Sequence, residues 1–245
     1  MSARTTSTDG AKPVAGPLTH PVARSLSLQA GGTVLEAILR LPDAPRGLVL
    51  FAHGSGSGRR SPRNTHVAQQ LASFGLATLL FDLLTAQEEQ TDALTGQLRF
   101  DIPLLSERLI GATEWARRSA PLQDLPIGYF GASTGAAAAL AAAAVLPRTA
   151  AVVCRGGRPD LAGAALSRVR APTLLIVGGN DPQVLALNRT ALAQLGAEAR
   201  LEIVPNATHL FVEPGALERV ASLAADWFVR HLPAPTREPG RARRG

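Results

Sequence analysis

Three residues of this sequence have the types and chain order needed for attack on an electrophilic carbon. Ser133 lies in Gly131-Ala132-Ser133-Thr134-Gly135, between a short apolar run and an alanine-rich stretch. A serine hydroxyl is a poor nucleophile near neutral pH unless an imidazole takes its proton and a carboxylate holds that imidazole in one tautomer. Both partners occur downstream. Asp181 ends the turn after the apolar run 173–178, and His209 follows the run 200–204 by a few residues. Asp160, which follows the run 151–154, is the competing carboxylate, one run earlier. The other histidines fit the base role less well: His20 and His231 lie at the margins, His66 falls within a helical stretch, and His53 precedes the serine.

The G-x-S-x-G string alone is weak, since a chain this rich in Gly and Ser is expected to contain it roughly 0.1 times by chance. Its position between a strand and a helix makes it informative. A serine on a sharp strand-to-helix turn needs small neighbours, because side chains at either flank would strike the strand or the helix. Such a turn also places the Thr134 amide at a helix N-terminus, where it can stabilise an oxyanion. The segment His53-Gly-Ser-Gly-Ser-Gly58 follows the apolar run 47–52 and offers a second amide donor, assigned to Ser55. It lacks the Gly-Lys-Ser/Thr ending of a phosphate loop. Arg155, Arg158, Arg59, Arg60 and Arg63 lie near these segments. Of these, Arg155 and Arg59 are candidate substrate-binding residues for an anionic ester, the alternative being that they are solvated or paired with Asp160, Glu88 and Glu89.

The elements that must position these residues alternate along the chain. Runs at 24–30, 34–41, 47–52, 77–82, 127–131, 151–154, 173–177 and 200–204 read as strands, most of them apolar on both faces, as a sheet covered on both sides requires. Stretches at 61–74, 102–119, 134–146, 183–195 and 214–231 read as helices. Ser61 is a candidate N-cap with Pro62 behind it, and Gly75 and Gly196 are candidate left-handed terminators. Gly31-Gly32 predicts a hairpin, so the sheet is expected to begin antiparallel and continue parallel. Residues 84–99 read as a solvated polar loop, a small flap being the alternative.

The 245 residues are 46% hydrophobic, enough for one core, expected over 24–232. Residues 1–23 and 233–245 read as disordered tails, too poor in apolar residues to offset the entropy of ordering. The net charge of +6 is concentrated there, leaving about +1 for 25–232. The folded region therefore lacks the basic face a nucleic-acid partner requires. No apolar stretch is long enough to span a bilayer, and the first residues do not form a secretory leader, so no membrane partner and a cytoplasmic location are expected. Cys154, the single cysteine, reads as a packed strand residue.

Phe51-Ala-His-Gly-Ser-Gly-Ser57, Gly128-Tyr-Phe-Gly-Ala-Ser-Thr-Gly135, Cys154-Arg-Gly-Gly-Arg-Pro-Asp160 and Ala207-Thr-His-Leu-Phe211 together resemble the dienelactone hydrolase-like branch of the α/β-hydrolases. The likeness covers about 25–232, and is to the serine-nucleophile bacterial type often found joined to a phosphoribosyltransferase domain. It implies an α/β-hydrolase fold with a mostly parallel eight-stranded sheet and helices on both faces. The short stretch between Cys154 and Thr173, where many relatives insert a helical cap, implies no large cap domain. The implied activity is hydrolysis of a small-molecule carboxylic ester or lactone through an acyl-serine, with no metal and no organic cofactor. Dienelactone hydrolase proper carries cysteine at the elbow, so its lactone specificity does not transfer to Ser133. An acyltransferase or peptidase would use the same residues, and a non-catalytic binding module would need none of them.

Overall fold

The computed structural model describes residues 21–232, so the expected tails at 1–23 and 233–245 lie outside the described residues except for 21–23, where Ala23 already belongs to the first strand. Eight strands form one sheet: β1 (Ala23–Ala30), β2 (Thr33–Arg40), β3 (Gly47–Ala52), β4 (Leu76–Phe81), β5 (Ile127–Ala132), β6 (Thr149–Arg155), β7 (Thr173–Gly178) and β8 (Ala199–Val204). Their spatial order is β1-β2-β4-β3-β5-β6-β7-β8. The β1–β2 and β2–β4 pairs are antiparallel, and every pair from β4–β3 to β7–β8 is parallel. The expected hairpin is present, with Gly31 and Gly32 at φ of 53° and 74°, the left-handed region that a two-residue turn of this kind requires.

Every residue of β3, β4, β5 and β7 is buried, because helices cover both faces of the sheet. On one face α1 (Pro62–Ser73) and α6 (Ala216–His231) bury Val67, Leu71, Val220 and Phe228 against Val49, Phe130 and Val153. On the other, α3 (Ile102–Arg118) and α4 (Thr134–Val145) bury Leu109, Ala112 and Leu140 against Leu50, Tyr129 and Val152. Ala136, Ala137, Ala138 and Ala139 of α4 are fully buried, and their small side chains let the helix lie close to both the sheet and its neighbours. Cys154 is buried in β6, and burial pushes its thiol up to about 12.

Helix starts follow their local signals. Ser61 caps α1, its Oγ accepting the Asn64 N–H at 3.4 Å with Pro62 in the first turn, and Gly75 after it takes a φ of 77°. Gly196 does not act in this way: α5 (Pro182–Leu192) has already ended, with the Ala193 N–H returning to the Arg189 carbonyl.

The main departure is at 84–99, which is not a loop but α2 (Ala86–Thr95) followed by a 3₁₀ turn, Leu98–Phe100. Thr85 Oγ1 accepts from the Glu88 N–H at 3.2 Å while Glu88 Oε2 accepts from the Thr85 N–H at 2.7 Å, a complete capping box. Its inward contacts are ionic rather than apolar. Buried Asp92 accepts from Arg99 Nε at 2.6 Å, and Glu88 pairs with Arg108 of α3 at 2.8 Å. A helix held this way has no hydrophobic stripe for periodicity to detect. Between β6 and β7 there is only a 3₁₀ segment, Pro159–Arg168, broken at Gly163, so no large cap stands over the sheet.

Candidate active site

Ser133 occupies the bend between β5 and α4 with φ 51° and ψ −121°, a conformation costly for any side-chain-bearing residue. The flanking glycines explain how the bend is accommodated. A Cβ on Gly131 would lie 2.5 Å from Ala136 Cα, and one on Gly135 would collide with the carbonyls of Ala52 and His53. The loop after β6 pins the bend: the Ser133 N–H donates to the Arg155 carbonyl at 3.2 Å, and the Ser133 carbonyl accepts from the Arg158 N–H at 3.0 Å.

Asp181 and His209 meet at the same edge of the sheet. His209 Nδ1 donates to Asp181 Oδ2 at 2.7 Å, while Asp181 Oδ1 faces the Val184 N–H at 3.4 Å and caps α5. The carboxylate side chain is 14% exposed and the imidazole 38%, which leaves the ring reachable from solvent. The two loops are tied together upstream, where the Asn180 N–H donates to the Ala207 carbonyl at 2.9 Å and Asn180 Nδ2 to the Asn206 carbonyl at 3.0 Å. Gly178 permits this crossing, since a Cβ there would strike the carbonyls of Ala207 and Thr208. Gly156 lies under the histidine, with its Cβ direction 3.5 Å from the His209 ring, and follows the residue whose carbonyl holds Ser133. The ring and the bend thus flank Arg155-Gly156. No hydrogen bond joins Ser133 Oγ to His209 among the described residues; in unliganded hydrolases that contact is commonly long and tightens with substrate.

On the other side of Ser133, Gly54 carries no side chain where a Cβ would come 2.9 Å from Ser133 Cβ. Ser55 Oγ and Thr134 Oγ1 are 3.2 Å apart, so the loop after β3 and the start of α4 are in contact. His53 fixes this loop. Its Nδ1 donates to the Gly54 carbonyl at 3.0 Å and its Nε2 accepts the Leu83 N–H at 2.9 Å, which assigns the neutral Nδ1–H tautomer. Burial lowers its pKa, outweighing the opposing effects of the Gly54 carbonyl and Asp82.

A cleft of about 590 Å³ adjoins the bend, lined by His53 to Arg63, Asp82 to Leu84, Glu89, Asp92, Arg99 and Thr134. Arg59 is held here by Asp82, which accepts both its backbone N–H and its guanidinium, so its charge is spent within the protein. Arg59, one of the two candidate substrate-binding arginines, thus reaches the cleft already paired, which is the alternative the sequence left open. Arg158 is likewise held by Asp160 through bonds of 2.9 and 2.7 Å, which also ties up the competing carboxylate. Arg155 is only 8% exposed and has no carboxylate partner among the described residues.

A family model described as the dienelactone hydrolase family matches residues 35–232. The chain belongs to this family. The family member is 56% identical to a dienelactone hydrolase of known structure from Anabaena variabilis, with a TM-score of 0.85 over 87% of this chain and 99% of that one. It is also similar to Est1E from Butyrivibrio proteoclasticus, at 16% identity and a TM-score of 0.70 over 85% and 98% of the two chains, a likeness of fold. A curated Mycobacterium tuberculosis relative, named "Putative phosphoribosyl transferase", is 56% identical over 208 residues. Those residues are 84% of this chain and 46% of the relative, so the chain spans about half the length of the curated relatives it matches. The family takes its name from a hydrolase, and the structural relative at 56% identity carries the same name.

Two residues of this family member matter more than the sequence suggested. His53, set aside as a base because it precedes the serine, anchors the loop after β3, and the signal for it is its place directly after a buried strand. Arg63 lines the cleft from the first turn of α1, where the run Arg59-Arg60-Ser61-Pro62-Arg63 marks only a basic helix start. Among the described residues no helix is long and apolar enough to cross a membrane.

Proposed function

We propose that this protein hydrolyses carboxylic esters or lactones through an acyl-serine intermediate, with Ser133 as nucleophile, His209 as general base and Asp181 as the acid that orients it. The supporting observation is the 2.7 Å bond from His209 Nδ1 to Asp181 Oδ2 at the sheet edge where Ser133 sits in its left-handed bend. With Nδ1–H engaged by the carboxylate, Nε2 keeps the lone pair that accepts a proton from Ser133 Oγ. Oγ then bonds to the acyl carbon, and the carbonyl oxygen becomes an oxyanion facing the amides of Thr134 and Ser55. Neither amide donates to a protein acceptor among the described residues, so both are available. Collapse expels the alcohol, which takes the proton from His209. Water attacks the acyl-serine with His209 again as base, and the acid leaves with Ser133 restored. We place the reaction in the cytoplasm; a single buried cysteine calls for no oxidising compartment.

Saturating p-nitrophenyl acetate, mixed rapidly with the protein, tests the sequence of steps. A burst of about one equivalent of nitrophenol and an acetyl group on the peptide bearing Ser133 are expected. Steady turnover with no acylated peptide under acid quench would contradict the covalent route.

A further inference from the structure

Arg155 closes β6 beside the nucleophile strand, opposite Ala132, and its carbonyl holds the Ser133 N–H. Strand alternation puts its side chain on the face of Ala151 and Val153, which pack with Val67, Ala68 and Leu71 of α1. It therefore extends toward the start of α1. There the charge it feels is that of Arg63, another cation, and burial together with Arg63 lowers its guanidinium to about 10. Arg155 Nη1 and Arg63 Nε are both buried without a hydrogen-bond partner, and neither side chain has an ion pair among the described residues.

Most arginines around the cleft are met by carboxylates, while Arg60, at its exposed rim, has no ion pair among the described residues. Arg59 is met by Asp82, Arg99 by Asp92, Arg108 by Glu88 and Arg158 by Asp160. Glu89, the remaining carboxyl of the cleft, is pushed toward its protonated form by burial and by Asp82, against a smaller opposing effect of Arg59. Two half-dehydrated cations facing one another is a costly arrangement unless an anion completes it. Arg63 also sits at the N-terminus of the twelve-residue α1, where its own N–H and the helix dipole favour negative charge, the Asn64 and Thr65 N–H groups being taken by Ser61. Arg63 brings this positive region to the cleft wall, and Arg155 backs it next to the elbow.

We propose that Arg63 and Arg155, with the first turn of α1, bind the phosphate of a phosphorylated substrate, so that the ester or lactone cleaved at Ser133 carries a phosphomonoester. The two cations with buried, unpartnered nitrogens balance a dianion, whereas a carboxylate would leave one of them unanswered. The substrate part of this inference rests on the reading of Ser133 as nucleophile; the anion site does not.

The test is binding of inorganic phosphate to the full chain, followed by calorimetry or ³¹P line broadening, with acetate as the monoanion for comparison. Saturable phosphate binding is expected, with acetate weaker by about tenfold or more. Arg63→Gln and Arg155→Met should each weaken phosphate by about tenfold or more, while Arg200→Gln on the outer strand leaves it unchanged. If Arg155→Met fails to fold, Arg63→Gln alone decides. Absence of saturable phosphate binding, unchanged affinity in the folded variants, or acetate bound as tightly as phosphate would overturn the proposal. Because the readout is binding, a failed Ser133 reaction would contradict the hydrolytic mechanism and leave this result standing.

Discussion

His53 follows β3 and His209 follows β8 at the same end of the sheet, yet their surroundings give them opposite properties. His53 is 8% exposed and uses both ring nitrogens on backbone groups, one on its own loop and one on the Leu83 amide. His209 is 38% exposed, uses Nδ1 on a carboxylate and keeps Nε2 free of protein partners among the described residues. An imidazole with both nitrogens committed cannot exchange protons during a reaction. One oriented by a carboxylate through a single nitrogen can. Chain order sets His53 aside because it precedes Ser133; the partners of each nitrogen supply the physical reason.

The difference is sharpest on removal. His209→Ala and Asp181→Asn are each expected to cut ester turnover by about 10³ to 10⁴ while the melting temperature stays close to that of the parent. Asp160→Asn, which breaks only the pair with Arg158, should retain most of the turnover. A sluggish Asp160→Asn beside a fully active Asp181→Asn would exchange the roles of the two carboxylates.

His53→Ala is expected to act in the opposite direction, on stability. It leaves the Leu83 amide without its acceptor and opens a void, for a loss of about 1–3 kcal/mol by denaturant unfolding. Its pH dependence follows from the lowered pKa. The folded state holds His53 neutral, so its contribution is complete above the ordinary value of 6.5 and is lost as pH falls below that toward the depressed value. Melting curves at pH 7.5 and 5.5 should therefore converge more for His53→Gln than for the parent. Equal slopes would mean that His53 is already charged in the fold. A smaller effect lies two residues beyond Leu83, where Thr85→Ala removes half of the capping box of α2 and should cost about 1 kcal/mol.

Much of this architecture could be read from the sequence because its signals are local. Strands β3 to β7 are mostly apolar blocks, the hairpin is Gly31-Gly32, and the turn at Ser133 is announced by Gly131 and Gly135. The candidate acid Asp181 could be singled out because it follows such a block, and the candidate base His209 because it follows the next strand in the chain. What escaped depended on contacts between distant residues. Arg59 is neutralised by Asp82, which comes 23 residues later at the end of β4, and no spacing rule links them. Helix α2 was obscured because ion pairs from Arg99 and Arg108 hold it, although Thr85-x-x-Glu88 spelled out its start.

Labelling with a fluorophosphonate tests the central claim most directly, because only a hydroxyl activated by an imidazole attacks such a phosphorus centre quickly. The parent protein should be modified once, at the peptide containing Ser133, and Ser133→Ala should remain unmodified. Equal labelling of the two proteins, or modification of the parent at another residue, would contradict the assignment of Ser133 as the nucleophile.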